Sequence, residues 1–206
     1  MIELYSANTP NGIKVAIALE ELGLSYRLIK LDLARGEQKQ PAFLEINPNG
    51  RIPAIVDAQG PGGLPLSVFE SGAILLYLAE KAPGLLPLDP VERLRALEYL
   101  FFQVGGIGPI FGQAGWLLRS AAQPMPLAIE RFCSEALRLT GVLESRLQQQ
   151  PWLAGRSYSI ADIMNFSWLR SAEYAGVDLS RFPAVTAWLQ RIAARPAVQR
   201  GLAALQ

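Results

Sequence analysis

The sequence changes character once, at a proline-rich break over residues 82–90, and this break limits the folds that the chain can adopt. Three prolines and one glycine within the break exclude a continuous helix. Short β-like runs alternate with helical runs before the break, and almost no strand pattern follows it. The pattern therefore predicts a small α/β domain at residues 1–81, a linker at 82–90 and an all-helical domain at 91–206.

The segment before the break predicts the element order βαβαββα, a sheet with helices packed on it. Its last two strands flank a glycine-rich loop at residues 59–63, which is typical of a hairpin. The predicted strands are Ile2–Tyr5, Tyr26–Leu31, Ile52–Val56 and Leu66–Phe69. The predicted helices are Ile13–Leu22, Pro41–Ile46 and a stretch that follows Ser71 and ends around Ala82.

The segment after the break has helical periodicity. Apolar residues recur at steps of three and four from Ile129 to Leu147 and form one stripe on a long helix. Ser159–Asp162 has the form of an N-terminal capping box that begins a helix over Ile163–Ala175. Further helices are predicted at Arg93–Phe102 and Ala184–Ala194.

Composition excludes several kinds of chemistry. The chain has no histidine, which removes Ser-His-Asp and Cys-His nucleophile pairs and His-ligated zinc. Its one cysteine, Cys133, allows no redox pair and no thiolate metal cluster, so no metal is expected, and a lone cysteine is typical of a reducing, cytoplasmic location. A net charge of +1 argues against nucleic acid or an acidic membrane as the partner. No secretory signal and no apolar run of membrane-spanning length are visible.

The segment Asn8–Gly12 joins the first strand to the first helix and is the first candidate site. Amides at the start of a helix favour an anion, and Thr9 and Asn11 add side-chain donors. Such a site holds a thiolate and lowers its pKa. The simpler explanation is that Thr9 or Asn11 only caps the helix.

Two further segments are candidates for binding a peptide-like ligand. In Asn47–Ile55, Pro53 opens a strand at a tight bend, where a cis bond would turn the backbone of Ile52 outward. In Phe69–Ala73, Ser71 is the expected N-cap and Glu70 stands beside it, which suits the carboxylate and ammonium of an α-amino acid. The simpler explanation of the first segment is an ordinary turn that leads into a strand. The simpler explanation of Glu70 is a favourable contact with the helix dipole, worth about 0.3–1 kcal/mol.

Together, in this order, these segments resemble the thioredoxin-like N-terminal domain of the cytosolic glutathione transferases, and the helical half resembles their C-terminal domain. The resemblance covers essentially the whole chain. The segments Thr9–Gly12, Asn47–Asp57 and Phe69–Ile74 are most similar to the nu-class bacterial branch. The resemblance implies an α/β thioredoxin-like domain followed by an all-α domain, with glutathione bound in the groove of the first.

The resemblance also implies roles for nine residues. Thr9 and Asn11 lie near the sulfur of glutathione as the catalytic residues. The glutathione-binding residues are Gln38 near the glycyl end, Ile52 with its backbone on the cysteinyl unit, Arg51 and Pro53 on either side of Ile52, Glu70 and Ser71 at the γ-glutamyl end, and Arg131, which reaches the glutathione of a neighbouring subunit. A homodimer is therefore expected.

The chain departs from the classes that place a catalytic Tyr, Ser or Cys beside the sulfur. No cysteine lies near residues 5–12, which excludes the Cys-type classes. Tyr5 lies in an apolar strand and is expected to pack, whereas Ser6 remains a candidate partner of the thiol. Cys133 follows Phe132 on the striped helix and is interpreted as a small buried hydrophobe.

The implied function is glutathione-dependent reduction of small disulfides. A second glutathione is needed, because the protein offers no thiol of its own beside the site. Conjugation of glutathione to electrophiles, a peroxidase reaction and a non-catalytic glutathione-binding regulatory module remain as alternatives. The substrate is expected beside the glycine-rich stretch 105–116, where Phe111 and Trp116 offer apolar walls, although helix packing explains these residues equally well.

Overall fold

A computed structural model describes residues 1–206, which form two compact units. The first unit contains Met1–Leu86 together with Ala194–Gln206, and the second contains Pro87–Ala193. No helix in the chain is both long enough and apolar enough to cross a membrane.

The first unit is built on a four-stranded mixed sheet with the strand order β2-β1-β3-β4. β1 pairs with β2 in parallel and with β3 antiparallel, and β3 and β4 form the predicted hairpin. The strands are β1 (Ile2–Ser6), β2 (Tyr26–Lys30), β3 (Ala54–Asp57) and β4 (Leu66–Phe69), and the helices are α1 (Pro10–Glu21), α2 (Pro41–Leu44) and α3 (Ser71–Lys81). The predicted order βαβαββα is confirmed.

Helix α1 begins three residues earlier than its apolar periodicity predicts. Thr9 is the N-cap, its side-chain oxygen accepts a hydrogen bond from the amide of Gly12, and Pro10 occupies the first helical position. The early start follows from these residues, because proline at that position has the backbone angle of a helix and lacks only an amide that the helix does not use. All residues from Gly12 to Leu19 are buried.

The second unit is helical, as predicted. Its helices are α4 (Pro90–Phe102), α5 (Gly108–Arg119), α6 (Pro126–Leu147), α7 (Ile160–Leu169) and α8 (Pro183–Ala193), with a π-helical turn at Gln103–Ile107 between α4 and α5. The predicted stripe on α6 is the packed face, since Ala136, Leu139 and Leu143 are buried.

Helix α7 ends earlier than predicted. After Leu169 the chain leaves helical geometry at Ser171 and continues as a 3₁₀ turn over Ala172–Ala175. Gly176 closes this turn in the left-handed conformation (φ 74°), and the amide of Val177 donates to the carbonyl of Ala172. Helix α7 therefore ends at Leu169, because the backbone leaves helical geometry at Ser171 although the apolar pattern continues, and Gly176 ends only the 3₁₀ turn.

Two residues of the glycine-rich stretch serve helix packing. Phe111 is completely buried in the core of the second unit, so it is not a substrate wall. A Cβ on Gly115 would lie 1.8 Å from a ring carbon of Tyr174, so this glycine makes room for a protein side chain. Trp116 is 48% exposed and keeps an accessible face.

The capping box at the start of α7 is present and its acidic member is fully buried. Asp162 accepts hydrogen bonds from the amide of Ser159 at 2.9 Å, the hydroxyl of Ser159 at 3.3 Å, the amide of Leu153 at 3.0 Å and the indole of Trp188 at 2.9 Å. Burial raises the pKa of Asp162 to about 6, and these donors oppose that rise. The box therefore ties α7 to α8 and to the preceding loop.

A last helix, α9 (Pro196–Ala204), was not predicted and packs on α1 within the first unit. The contact is close, because a Cβ on Gly201 would lie 2.8 Å from the backbone of Ile17. Arg195 donates two hydrogen bonds to the carboxylate of Glu21 at 2.6 and 2.7 Å, and Arg200 pairs with Glu20 at 2.7 Å.

Gly201→Ala should lower the free energy of unfolding of the protein by about 1–3 kcal/mol, because the added methyl group forces α9 away from the α1 backbone. Gly141→Ala, on α6, is the matched control: its Cβ meets nothing within 4 Å, and the change should stabilise the helix by about 0.5–1 kcal/mol. Urea unfolding of both variants measures the difference, and equal effects would contradict the close contact.

Candidate functional site

The first unit contains a pocket of about 250 Å³ where the three candidate segments meet. One segment leads from β1 into α1, the second leads into β3, and the third leads from β4 into α3. The lining residues are Asn11, Asn47, Asn49, Arg51, Ile52, Pro53, Glu70 and Ser71. Six of the nine predicted site residues are thus brought together.

At the start of α1, backbone amides that the sequence analysis expected to bind an anion donate instead to Thr9. Pro10 has no amide hydrogen, the amide of Gly12 donates to Thr9 Oγ1 at 3.1 Å, and the amide of Ile13 donates to the Thr9 carbonyl at 3.1 Å. The expected set of amide donors is therefore reduced, and the side chain of Asn11 is the polar group that this segment contributes to the pocket.

The second segment is a tight loop held by the buried side chain of Asn47. Its Nδ2 donates to the carbonyl of Arg51 at 2.6 Å, and its Oδ1 accepts from the amide of Asn49 at 3.0 Å. The peptide bond between Ile52 and Pro53 is cis, and Ile52 lies outside the paired residues of β3. Ile52 and Pro53 both line the pocket at this loop. Asn47 was not among the predicted residues, although its position before Pro-Asn-Gly marks it as a turn residue.

Glu70 is the single non-glycine residue with a positive φ, at 68°. Such a conformation costs about 1–3 kcal/mol and occurs mainly at functional sites. Glu70, not Ser71, occupies the N-cap position of α3, and no side chain caps this helix. Ser71 is the first helical residue, so its amide and hydroxyl lie at the positive end of the helix and favour an anionic ligand.

Lys14 joins the first and third segments and was missed by the sequence analysis. Its side chain is buried in α1, and Nζ donates to Asn11 Oδ1 at 2.9 Å and to Ser71 Oγ at 3.3 Å. Burial lowers the pKa of Lys14 to about 7, while the charge of Glu70 acts in the opposite direction. The sequence contains an indication of this role, because Lys14 interrupts the apolar run Ile13–Leu19 and lysine is rarely buried.

Three predicted residues do not line the pocket. Thr9 is half-buried and acts as the helix cap, which is the simpler of its two explanations. Gln38 is half-buried, with its Oε1 buried and without a partner. Arg131 is an exposed residue of α6 in the second unit.

The two other polar residues of β1 differ in burial. Tyr5 packs on Phe43, with ring centroids 5.9 Å apart, and its hydroxyl donates to Glu3 at 2.8 Å. Ser6 is completely buried and its hydroxyl has no partner. Tyr5 is therefore engaged in packing, as expected, and Ser6 stays a candidate.

The arrangement of groups fits a peptide that carries an amino acid terminus. Glu70 can accept from an ammonium group, the start of α3 can bind a carboxylate, and the backbone of Ile52 can pair with an extended chain. Asn11 lies on the same pocket and can donate to a further anionic group.

Comparison with known families identifies the two halves of the chain. Residues 1–80 match the family model described as "Glutathione S-transferase, N-terminal domain", and residues 133–196 match "Glutathione S-transferase, C-terminal domain". The chain belongs to the glutathione S-transferase family.

Individual members of this family cover nearly the whole chain. "Disulfide-bond oxidoreductase YfcG" of Escherichia coli is 51% identical over 203 residues, which is 98% of this chain and 94% of the relative. A glutathione transferase family member from Pseudomonas fluorescens, solved with two glutathione bound, is 45% identical with a TM-score of 0.93 and covers 98% of this chain and 92% of its own. A glutathione transferase from Pseudomonas putida, solved with one glutathione disulfide bound per subunit, is 44% identical with a TM-score of 0.93 and covers 98% and 90%.

Proposed function

We propose that this glutathione S-transferase family member reduces small disulfides with glutathione and uses no cysteine of its own. The observation that carries the proposal is the combination of a peptide-binding pocket with a chain whose one cysteine is elsewhere. Cys133 lies on α6 in the second unit, and burial raises the pKa of its thiol, which makes it a poor nucleophile.

The relatives support the same chemistry. YfcG carries the name of a disulfide-bond oxidoreductase, and the two Pseudomonas proteins hold two glutathione molecules or one glutathione disulfide. Two glutathione molecules are what the reaction consumes. When bound, glutathione would supply the thiolate that breaks the substrate disulfide and releases its first thiol. A second glutathione would then break the resulting mixed disulfide, which releases the second thiol and gives oxidised glutathione.

The residues of this chain bind the tripeptide and stabilise the charge on its sulfur. Asn11 donates to the thiolate, with Thr9 beside it at the start of α1, and the backbone of Ile52 pairs with the cysteinyl unit. The remaining contacts are those with Gln38, Arg51, Pro53, Glu70, Ser71 and, from a neighbouring subunit, Arg131.

The proposal includes a homodimer. Val91, Leu94 and Phe101 lie on α4 and are 65%, 58% and 64% exposed, which supports an interface on this helix. The mass in solution from light scattering tests this, and a monomer would remove Arg131 from the site.

The proposal also includes membership of the nu class, which the motif Asn47–Asp57 supports, and a cytoplasmic location, which the lone cysteine supports.

The proposal includes the predicted domains: residues 1–81 bind glutathione, residues 82–90 are the linker, and residues 91–206 form the helical domain, whose stretch 105–116 is proposed to contact the substrate. Trp116, which keeps an exposed face, is the residue of that stretch best able to contact an apolar substrate.

The test of the function is turnover of hydroxyethyl disulfide with glutathione, measured as oxidised glutathione formed. We expect turnover by the wild-type protein and undiminished turnover by Cys133→Ala, which has no thiol at all. Turnover of an aromatic halide alone would favour conjugation instead. Glutathione binding without turnover of either substrate would favour a regulatory module.

Asn11→Ala should lower kcat for disulfide reduction about tenfold or more while the Kd for glutathione changes by less than about threefold, because a donor to sulfur acts most strongly when the sulfur is charged. Asn8→Ala, on the exposed residue of the same segment, is the control and should keep wild-type kcat. Steady-state kinetics and calorimetry separate the two effects. A loss of affinity at unchanged kcat would overturn this role.

Glu70→Gln should raise the Kd for glutathione about tenfold or more, because the variant loses the charge that accepts from the α-ammonium group. The variant and the wild type should bind equally well a glutathione analogue that lacks the α-amino group. Glu45→Gln, an exposed change in the same unit, is the control. Equal affinity of wild type and Glu70→Gln for glutathione itself would remove Glu70 from the site.

A further inference from the structure

Lys14 is a buried cation directly behind the pocket. Its side chain is 1% exposed, and its ammonium group contacts Asn11 and Ser71, which line the pocket from two different helices. A lysine so placed loses several kcal/mol of hydration free energy relative to water. An apolar side chain of similar length would fill the same space without that cost, so packing does not explain the ammonium group.

The contacts of Lys14 decide which atoms Asn11 and Ser71 offer to other partners. An ammonium group only donates, so it engages the oxygen of the Asn11 amide, and the other end of that amide is a donor. The same holds for Ser71, whose oxygen accepts from Lys14, so that its hydroxyl hydrogen can donate to another acceptor. Both groups therefore act as donors, as an anionic ligand requires.

We propose that Lys14 is a positioning residue for glutathione: a single ammonium group orients Asn11 toward the thiolate and Ser71 toward the γ-glutamyl carboxylate, and places a positive charge behind both. This inference rests on the proposed function and extends it to a residue that does not line the pocket. It also places a positive charge at the start of α1, where the amides of Gly12 and Ile13 already donate to Thr9.

The charges around Lys14 favour this role. Glu70, at the start of α3, is the charged group that raises its pKa against the effect of burial, which lowers it to about 7. The arginines that α9 brings to α1 are already paired, Arg195 with Glu21 and Arg200 with Glu20. Binding of an anion beside the ammonium favours its protonated form, and by reciprocity the protonated form favours the anion.

Two variants separate the orienting effect of Lys14 from its charge. Lys14→Met removes both the donor and the charge, and Lys14→Gln keeps a donor without the charge. Lys30→Met, on the exposed face of β2, is the control. Circular dichroism and thermal unfolding establish that each variant is folded, and if Lys14→Met does not fold, Lys14→Gln carries the test.

The first readout is the pKa of the bound thiol, measured from the ultraviolet absorbance of the thiolate as pH is varied. Both Lys14 variants should raise this pKa by about one unit, a tenfold fall in the ionisation constant of the bound thiol. The second readout is the Kd for S-methylglutathione, which has no thiol. Lys14→Met should weaken it about tenfold, and Lys14→Gln should restore it to within about threefold.

The outcomes distinguish this inference from the proposed function. A wild-type protein that does not bind glutathione overturns the proposed function and the inference with it. A wild-type protein that binds glutathione, with folded Lys14 variants that match it in both readouts, overturns only the inference. A raised thiol pKa with unchanged affinity for S-methylglutathione overturns the orienting role and retains the charge.

Discussion

The burial of α1 on every side is the constraint on which the site depends. The helix contacts β1, α3 and α9, and all residues from Gly12 to Leu19 are buried. A polar group in such a helix needs a hydrogen-bond partner, and the N-terminal end is where polar partners are available. Lys14 meets this requirement by bonding to Asn11 and Ser71, which couples the start of α1 to the start of α3.

This coupling gives the pocket two connected ends. At one end Asn11 faces the position proposed for the sulfur, and at the other Glu70 and Ser71 face the position proposed for the amino acid terminus. The strained backbone of Glu70 (φ 68°) belongs to the same arrangement, since a residue is held in that conformation only by its surroundings. Under the proposed function, a chain without a thiol in this unit contributes orientation and charge, and the reactive sulfur comes from the ligand.

Local patterns were sufficient for most of the fold. The order βαβαββα, the hairpin of β3 and β4 and the capping box of Ser159 and Asp162 each arise from residues close together in the sequence, and each is present. The predicted end of α7 was wrong, because the apolar periodicity continues past Leu169 while the backbone leaves helical geometry at Ser171. The sequence allowed Phe111 to be either a wall of the substrate site or a residue of the helix packing, and its complete burial shows that it serves the packing.

The sequence by itself determined the element order of residues 1–81, the absence of histidine and a second cysteine, and the three segments that supply the pocket, because these depend on residue type and short spacing. The tertiary structure alone decided that α9 packs on α1 and that Lys14 reaches Ser71, 57 positions away. It also showed that Thr9 uses its oxygen to cap α1. The first two contacts join segments that are far apart in the sequence, and in the third the helix and a ligand compete for the same side-chain oxygen. The order of residue types along a chain does not specify the distance between two side chains or the direction of a hydrogen bond.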